Sequence, residues 1–337
     1  MLEKTDWNRC LELFITHRSA LEYWRLHRTP PGNNRQRNRR VKVPSDPPGL
    51  VLSRRTDIAG LNLPLDVTTS SSNSRRRSHT VRAHLLSRSL SEGCAVDVGD
   101  GLYVASPEFA FMQVANELST IELVELGLEI CGSYSLSIPG ASDAGLSASA
   151  ETRYELAPLS SVKKMMAFAT RTEGMPGRRN ALGALRYIVD NSASPMESVL
   201  VMLLTLPYRL GGYKLPLPIL NTRITMPRRA EDNTTKSYYI CDLYWPKVKV
   251  AAEYDSDMYH ATSYRIGSDS IRRADLASAG TTLVTVTNQQ IRRIAEFDQV
   301  AGVLATLTGK RLNNNRNVKF IEARQLLRKE LLSDIRL

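Results

Sequence analysis

The alternation of apolar and polar positions in the C-terminal half of the chain predicts a compact α/β unit. The runs SYYICDLYW and VKVAAEYD have the spacing of β-strands, and a Trp245-Pro246 turn separates them. Such a short connection makes the two runs antiparallel neighbours. Downstream, SDSIRRADLASAG predicts a helix that ends at Gly280, TTLVTVT predicts a strand, and Asn288 begins another helix.

The N-terminal half has a different pattern, which predicts a smaller α+β domain. A capping box from Ser19 to Glu22 predicts a helix, and TPPGNNRQRNRR predicts a loop. Strands are predicted near residues 64–68 and 80–86, with a hairpin at Asp100-Gly101. Further signals are a helix start at Ser106-Pro107-Glu108, a second capping box from Ser119 to Glu122, and a helix end near Gly132.

Composition divides the chain further. Residues 134–177 are rich in Ser, Ala and Gly, which favours a linker with at most a short helix. The run VKFIEARQLLRKELLSDI has helical spacing, and its helix would pack on the α/β unit by default or contact DNA. The predicted organisation is an N-terminal helix and basic loop (1–49), an α+β domain (50–133), a linker (134–177), an α/β domain (178–308) and a C-terminal helix (309–337).

Three carboxylates gather in the predicted hairpin. Glu253 and Asp255 project to the same side of their strand, and the antiparallel partner brings Asp242 close to them. Clustered carboxylates repel one another and are costly to desolvate unless a cation lies between them, and Mg²⁺ is the usual solution. The cluster predicts a metal site, and the alternative is that acids near strand ends only solvate a turn.

The charge of the chain favours a polyanionic partner. Among 337 residues, 45 Lys and Arg against 34 Asp and Glu give a net charge of +11. The alternative is a merely soluble basic protein. The basic clusters lack interleaved aromatic residues, which favours contact with a nucleic-acid backbone over base stacking. These clusters are Arg35, Arg37, Arg39, Arg40 and Lys42, and a second group of Arg75, Arg76 and Arg77.

Cysteine usage and hydropathy indicate a soluble protein of a reducing compartment, with the cytoplasm as its expected location. The four cysteines are widely scattered without C-x-x-C spacing, so neither a zinc site nor a disulfide framework is predicted. The longest apolar run, VLVMLLTL, is too short to span a bilayer, so no membrane partner is expected.

The order of these elements and residues resembles the restriction-endonuclease-like (PD-(D/E)XK) fold, particularly the domain allied to very-short-patch repair endonucleases. The resemblance covers about residues 178–308 and implies a mixed sheet flanked by helices, Mg²⁺ or Mn²⁺ as cofactor, and DNA as substrate. The matching residues are Ser194-Pro195-Met196-Glu197, Asp242 with Trp245-Pro246, Glu253-Tyr254-Asp255, His260, Asp269 with Arg272, and Gly280.

The resemblance implies roles for individual residues. Asp242, Glu253 and Glu197 would hold the metal, and Asp255 would be a further ligand or orient the attacking water. The wider superfamily has a Lys two residues after the Glu, where this chain has Asp255. Lys249, on the same strand face as Glu253, could replace that ammonium, and His260 could transfer the proton.

Each of these residues also has a structural interpretation. Ser194 and Glu197 fit a helix capping box, with Pro195 at the first helical position, and capping can coexist with metal binding. A histidine such as His260 is more often a surface residue than a catalytic one. Arg272 and Arg273 form either a solvated helix face or contacts to phosphates.

The N-terminal half, at residues 50–133, is more weakly similar to antitoxins and regulators of the abortive-infection type, through the run GLYVASPE. No catalytic residue follows from that similarity. Two functions are therefore expected: a metal-dependent DNA endonuclease, or a non-catalytic DNA-binding regulator or antitoxin, with a partner toxin, whose nuclease fold has lost its chemistry. The sequence does not define the oligomeric state.

Overall fold

The computed structural model describes residues 12–29, 37–38, 43–45, 58, 60–74, 77–86, 90–138, 151–226, 237–255, 263–312 and 318–333, with the backbone alone at 37–38, 74 and 263–266. The chain forms two compact units, residues 1–186 (unit 1) and residues 187–337 (unit 2). Unit 1 is the larger of the two, contrary to the predicted small N-terminal domain. None of the helices in the described ranges is long and apolar enough to cross a membrane.

Unit 1 contains a mixed six-stranded sheet in the order β2-β5-β6-β1-β3-β4. Its strands are β1 (Leu13–Ile15), β2 (Arg37–Asn38), β3 (Leu65–Thr69), β4 (Val81–Leu85), β5 (Ala95–Gly99) and β6 (Leu102–Ala105). β1 runs parallel to β6 and antiparallel to β3, while β3 and β4 are parallel. The predicted hairpin at Asp100-Gly101 is confirmed, since φ of +49° and +73° at these two residues suits a turn of type I′.

Five helices of unit 1 lie within its described residues: α1 (His17–His27), α2 (Pro107–Val114), α3 (Thr120–Cys131), α4 (Val162–Arg171) and α5 (Arg178–Leu185). The predicted starts of α2 and α3 are confirmed, because Ser106 caps α2 and the capping box of Ser119 and Glu122 is fully formed. The predicted capping box at Ser19 is wrong. The helix begins at His17, and the Ser19 hydroxyl instead accepts the Asp66 backbone N–H.

The predicted linker at residues 134–177 is also wrong for its described part. A backbone bridge joins Ser135 to Arg153, and α4 packs with its Phe168 ring 6.2 Å from that of Phe109. At the end of this segment Gly177 has φ +81°, and a Cβ there would lie 2.0 Å from the Met112 carbonyl oxygen. The segment therefore belongs to the core of unit 1, held by contacts with α2 that no local pattern displays.

Unit 2 contains a mixed four-stranded sheet in the order β10-β9-β8-β7. Its strands are β7 (Ile219–Thr225), β8 (Tyr238–Trp245), β9 (Val250–Asp255) and β10 (Thr282–Thr287), and its helices are α6 (Pro195–Thr205), α7 (Ser263–Ser278), α8 (Asn288–Arg292), α9 (Ile294–Leu307) and α10 (Val318–Ser333). β8 is antiparallel to β7 and β9, and β10 is parallel to β9. The predicted α/β class, with a mixed sheet and helices, is confirmed.

Local signals of the sequence set most of the boundaries in unit 2. Pro195 occupies the start of α6, and Gly280, with φ +75°, follows the end of α7. Trp245 is buried at the end of β8, and its Nε1 donates to the Pro216 carbonyl at 2.8 Å. The predicted C-terminal helix packs on this unit, because Leu327 and Leu331 are buried in it.

Candidate functional site

The site begins at a kink that β7 and β8 share. The register pairs Leu220 with Leu243 and Thr222 with Cys241, while Asn221 itself has a left-handed φ of +47°. This conformation is uncommon outside glycine and is most accessible to Asn and Asp. The Asn221 amide donates to the Glu197 carboxylate at 2.6 Å. This hydrogen bond therefore links β7 to the first turn of α6.

Glu197 is a buried carboxylate with three donors. Its oxygens accept hydrogen bonds from the Ala193 backbone N–H at 2.9 Å, the Ser194 hydroxyl at 3.1 Å and Asn221. The Ser194 hydroxyl oxygen in turn accepts the Glu197 N–H at 3.1 Å. Ser194 caps α6 as predicted, but the capping box is incomplete, because the Glu197 carboxylate accepts the N–H of Ala193 and not that of Ser194. Both carboxylate oxygens of Glu197 already have protein donors.

Asp242 lies in β8 where its regular pairing with β9 stops. The paired register of the two strands ends at Leu243 and Ala252, and the Asp242 Oδ2 then accepts the Tyr254 backbone N–H at 2.8 Å. A side-chain acceptor replaces a backbone one, so the carboxylate is fixed between the two strands. The predicted proximity of Asp242 to the Glu253 strand is observed.

Glu253 forms an ion pair with Arg272 of α7. The Arg272 guanidinium also donates to the Ile240 carbonyl at 2.6 Å and lies over the Tyr239 ring, 5.3 Å from its centroid. Arg272 therefore does not belong to a solvated helix face. It supplies a positive charge within the carboxylate cluster and occupies one of the Glu253 oxygens that could otherwise bind a metal ion.

Burial is the main electrostatic influence on this cluster. It raises the pKa of Glu197, Asp242 and Glu253, and the Asp242 charge raises the pKa of both glutamates further. Arg272 opposes the shift at Asp242 and Glu253. Burial, followed by the Glu253 charge, raises the pKa of the neighbouring Cys241 thiol to about 12. Asp242 is thus electrostatically coupled to a carboxylate of α6 and to one of β9, in a setting that favours a cation or a proton.

These raised pKa values predict that mild acid stabilises unit 2 locally. The folded protein binds these protons more tightly than the unfolded chain, whose carboxylates titrate near about 4. The stabilisation is present below the unfolded pKa and is lost as the pH rises through the folded pKa. Hydrogen exchange of β8 and β9, corrected for its intrinsic pH dependence, should therefore slow as the pH falls from neutral towards the unfolded pKa of about 4. An unchanged or faster rate would contradict the raised pKa values.

The donor chemistry of the cluster suits Mg²⁺, because carboxylate oxygens are its preferred protein ligands. The existing bonds of two of the carboxylates suit a metal ion less well. Both carboxylate oxygens of Glu197 already accept hydrogen bonds, and one oxygen of Glu253 is bound to Arg272. Across the described part of the chain, no group of three His, Cys, Asp or Glu residues is arranged to hold one ion. Arg272 therefore competes with a metal ion for the Glu253 carboxylate.

Lys249 is not where the sequence suggested. It is the last residue of the turn before β9, with φ +52°, and its Nζ lies beside Gly280. That position is at the end of the sheet where β9 and β10 begin, whereas Glu253 lies in the second half of β9. The prediction that Lys249 replaces the missing ammonium is therefore not supported by its location.

The remaining predicted residues fall outside the cluster or outside the described ranges. Asp255 is half-buried and ends β9, beside Thr287 of β10. Asp269 is exposed on α7, and Arg273 is exposed and donates to the Thr285 hydroxyl at 3.1 Å. Arg77 is exposed in unit 1. The predicted site residues His260, Arg75 and Arg76 lie outside the described residues, as do the side chains from Arg35 to Lys42.

Sequence reasoning missed two residues next to the cluster. Asn221 donates to the Glu197 carboxylate. Its residue type inside a strand is the sequence signal for the left-handed backbone found there. Arg223, two residues further along β7, is exposed and lies over the Tyr238 ring, 3.7 Å from the centroid. The exposed Ile240 pairs with Arg223 across the strands. These side chains give the sheet a cationic, partly apolar surface close to Asp242.

Comparisons of the chain with protein-family models, with curated proteins and with solved structures found no match.

Proposed function

We propose that unit 2 is a metal-dependent DNA endonuclease that hydrolyses phosphodiester bonds. The observation that carries the proposal is the coupling of Asp242 to Glu197 and Glu253, three desolvated carboxylates that α6, β8 and β9 bring together. Desolvating several carboxylates at one place costs free energy, and such clusters with perturbed pKa values concentrate at functional sites. The resemblance to very-short-patch repair endonucleases gives the cluster its chemistry.

Each residue has a distinct task under this proposal. Asp242 and Glu253 would hold Mg²⁺ or Mn²⁺, and the chemistry that such an ion would supply is polarisation of the phosphate and a lower pKa of a bound water. Glu197 maintains the negative potential at Asp242 from the first turn of α6. Arg272 leaves Glu253 and becomes available to the substrate phosphates. Arg223 contacts the backbone of the adjacent nucleotide, because it is exposed near Asp242 on the neighbouring strand.

The direct test is a cleavage assay of the full chain on plasmid and branched DNA with Mg²⁺, Mn²⁺ or EDTA. Cleavage that requires the divalent ion supports the proposal. Absence of cleavage with every substrate and both ions, for a protein that is folded and binds DNA, would leave the second candidate.

That second candidate is a non-catalytic DNA-binding regulator. The Glu253 and Arg272 ion pair favours it, because it neutralises a ligand that catalysis would need. The location of Lys249 beside Gly280, together with Asp255 in place of a lysine, also leaves the attacking water without an ammonium. Under this function the cluster is a structural ion-pair network, and a partner toxin is expected for an antitoxin of the abortive-infection type.

Both functions predict salt-sensitive binding of duplex DNA. Substituting Arg75, Arg76 and Arg77 together by Gln should weaken binding to unrelated sequences alike and reduce the log-log salt slope by about 1 for each lost phosphate contact. Fluorescence anisotropy at several salt concentrations in EDTA, where metal-dependent cleavage does not interfere, measures the slope.

The control removes three exposed charges elsewhere in unit 1, at Lys163, Lys164 and Arg179. Its slope should stay close to that of the wild type. Equal losses in the two triple variants would mean that net charge alone governs binding, and no measurable affinity at low salt would contradict both functions.

A further inference from the structure

A second polar cluster lies in unit 1 and has no part in the nuclease proposal. The parallel register of β3 and β4 places Asp66 beside Arg82 and Thr68 beside His84. Because side chains alternate between faces of a strand, these four polar residues share one face of the sheet. Asp66 is 3% exposed, and Thr68 is also 3% exposed. Arg82 and His84 lie on the edge strand β4 and are partly exposed. Burying the polar groups of Asp66 and Thr68 is costly unless they are hydrogen-bonded.

Asp66 fixes the imidazole of His84. Its Oδ1 is 2.8 Å from the His84 Nε2 and 3.4 Å from the Arg82 guanidinium. A buried carboxylate that bonds one ring nitrogen sets the orientation of an imidazole and leaves the other nitrogen to a different partner. Arg82 supplies a positive charge beside the Asp66 carboxylate.

His17 covers His84. The two rings are stacked, with centroids 3.7 Å apart and planes at 16°. Burial, and then the proximity of His84, lowers the pKa of His17 to about 3, so this imidazole is neutral at pH 7. The His17 backbone has a left-handed φ of +51° and donates to the Gln113 Oε1 at 3.1 Å. Strained backbone of this kind, outside glycine, is concentrated at binding sites.

These groups form one side of a cavity of about 350 Å³. His17, Thr68, His84, Gln113 and Arg77 supply its polar lining. None of the described residues that line it is an Asp or a Glu. Among the described lining residues, Arg77 offers one full positive charge and several others can donate hydrogen bonds. This lining suits a single negative charge better than a doubly charged phosphate.

The other side of the cavity is apolar. It includes the buried ring of Phe109 together with Leu86 and Met175. Its volume is at the lower end of the range for ligand pockets, about 300–1,000 Å³, so a body of one or two rings fits it.

We propose that this cavity binds a small aromatic carboxylate, with the carboxylate at His17, His84 and Arg77 and the ring against Phe109. The site is independent of the proposed endonuclease, since every residue that it uses belongs to unit 1. The carboxylate of such a ligand gives the imidazoles an acceptor for their N–H groups. Its aromatic ring buries apolar surface against the apolar side of the cavity.

The test uses phenylacetate as the probe and the full chain, with the imidazole nitrogens of its histidines followed by NMR. We expect phenylacetate to shift the resonances of His17 and His84 and to leave those of His27 and His79, which do not line the cavity, unchanged. The neutral isostere phenylacetamide should bind at least about tenfold more weakly, because it cannot pair with Arg77.

Gln113→Glu provides the sharpest variant. It keeps an acceptor for the His17 N–H and places a negative charge in the cavity, so phenylacetate affinity should fall at least about tenfold. Asn116→Asp, an equal charge change on an exposed residue that does not line the cavity, should leave the affinity unchanged.

Three results would overturn the proposal. One is no shift of His17 and His84 up to the solubility limit of the probe. Another is equal binding of acid and amide, and the third is an equal effect of the two charge variants. Spectra of the backbone amides establish that each variant is folded, so a loss of binding reports on the cavity.

Discussion

Substitution of Asp242 by Asn is expected to reduce divalent-ion-dependent cleavage by at least about 10³-fold, because it removes about 4 kcal/mol or more of transition-state stabilisation. Asp242 is coupled to both other carboxylates of the cluster, so no neighbour can replace its charge. The substitution keeps the fold, since the Asn carbonyl can still accept the Tyr254 N–H. Initial cleavage rates of wild type and variant at saturating Mg²⁺ measure the effect.

Glu322→Gln is the matched control. It removes the same charge from an exposed residue of α10 in the same unit, and its cleavage rate should stay within about twofold of the wild type. DNA affinity of Asp242→Asn should be unchanged or higher, because a negative charge facing the phosphates is lost. Equal cleavage by wild type and Asp242→Asn would place the activity at another site.

Substitution of Arg272 by Gln is expected to destabilise the β8 and β9 hairpin by about 2 kcal/mol. Removing one partner of a fully buried ion pair costs about 3–5 kcal/mol, and the partial exposure of Arg272 (31%) and Glu253 (17%) reduces that cost. The loss arises from the Glu253 charge, which is left desolvated, and from the Ile240 carbonyl, which loses its donor. Hydrogen exchange of residues 238–255 measures this local stability.

Two comparisons make the Arg272 prediction specific. Arg273→Gln removes a charge from the exposed neighbour on the same helix and should cost less than about 0.5 kcal/mol. In a Glu253→Gln background, Arg272→Gln should lower the free energy of local unfolding much less than in the wild type. The Glu253 charge that would lose its partner is absent from that background. Equal costs of Arg272→Gln in the two backgrounds would show that the ion pair contributes nothing.

The Arg272 ion pair also separates the two candidate functions. In an endonuclease, Mg²⁺ competes with Arg272 for Glu253, so Arg272→Gln should bind the ion more tightly even as the hairpin loses stability. In a regulator the pair is permanent, and the wild type itself binds neither ion. Isothermal titration with Mg²⁺ and Mn²⁺ distinguishes these outcomes without any cleavage assay.

The sequence by itself determined the elements whose signals are local. Ser106 and Ser119 begin helices because each hydroxyl can accept an N–H of the first helical turn, which depends on residues three positions away. Asp100-Gly101 forms its hairpin because both residues tolerate positive φ. The alternation of β8 and β9 brought Asp242 to the Glu253 strand, since pairing across a short turn fixes the register.

Only the tertiary structure decided what depends on distant partners. Arg272 pairs with Glu253 because α7 packs across the sheet, a contact between residues 19 positions apart in the chain. Residues 134–177 belong to the core of unit 1 through contacts with α2, despite a composition that is typical of a linker. Lys249 shares the strand parity of Glu253, yet its left-handed turn backbone sets its ammonium beside Gly280. Local patterns constrain backbone geometry, whereas charge pairing depends on which surfaces meet, and that is fixed only when the helices pack.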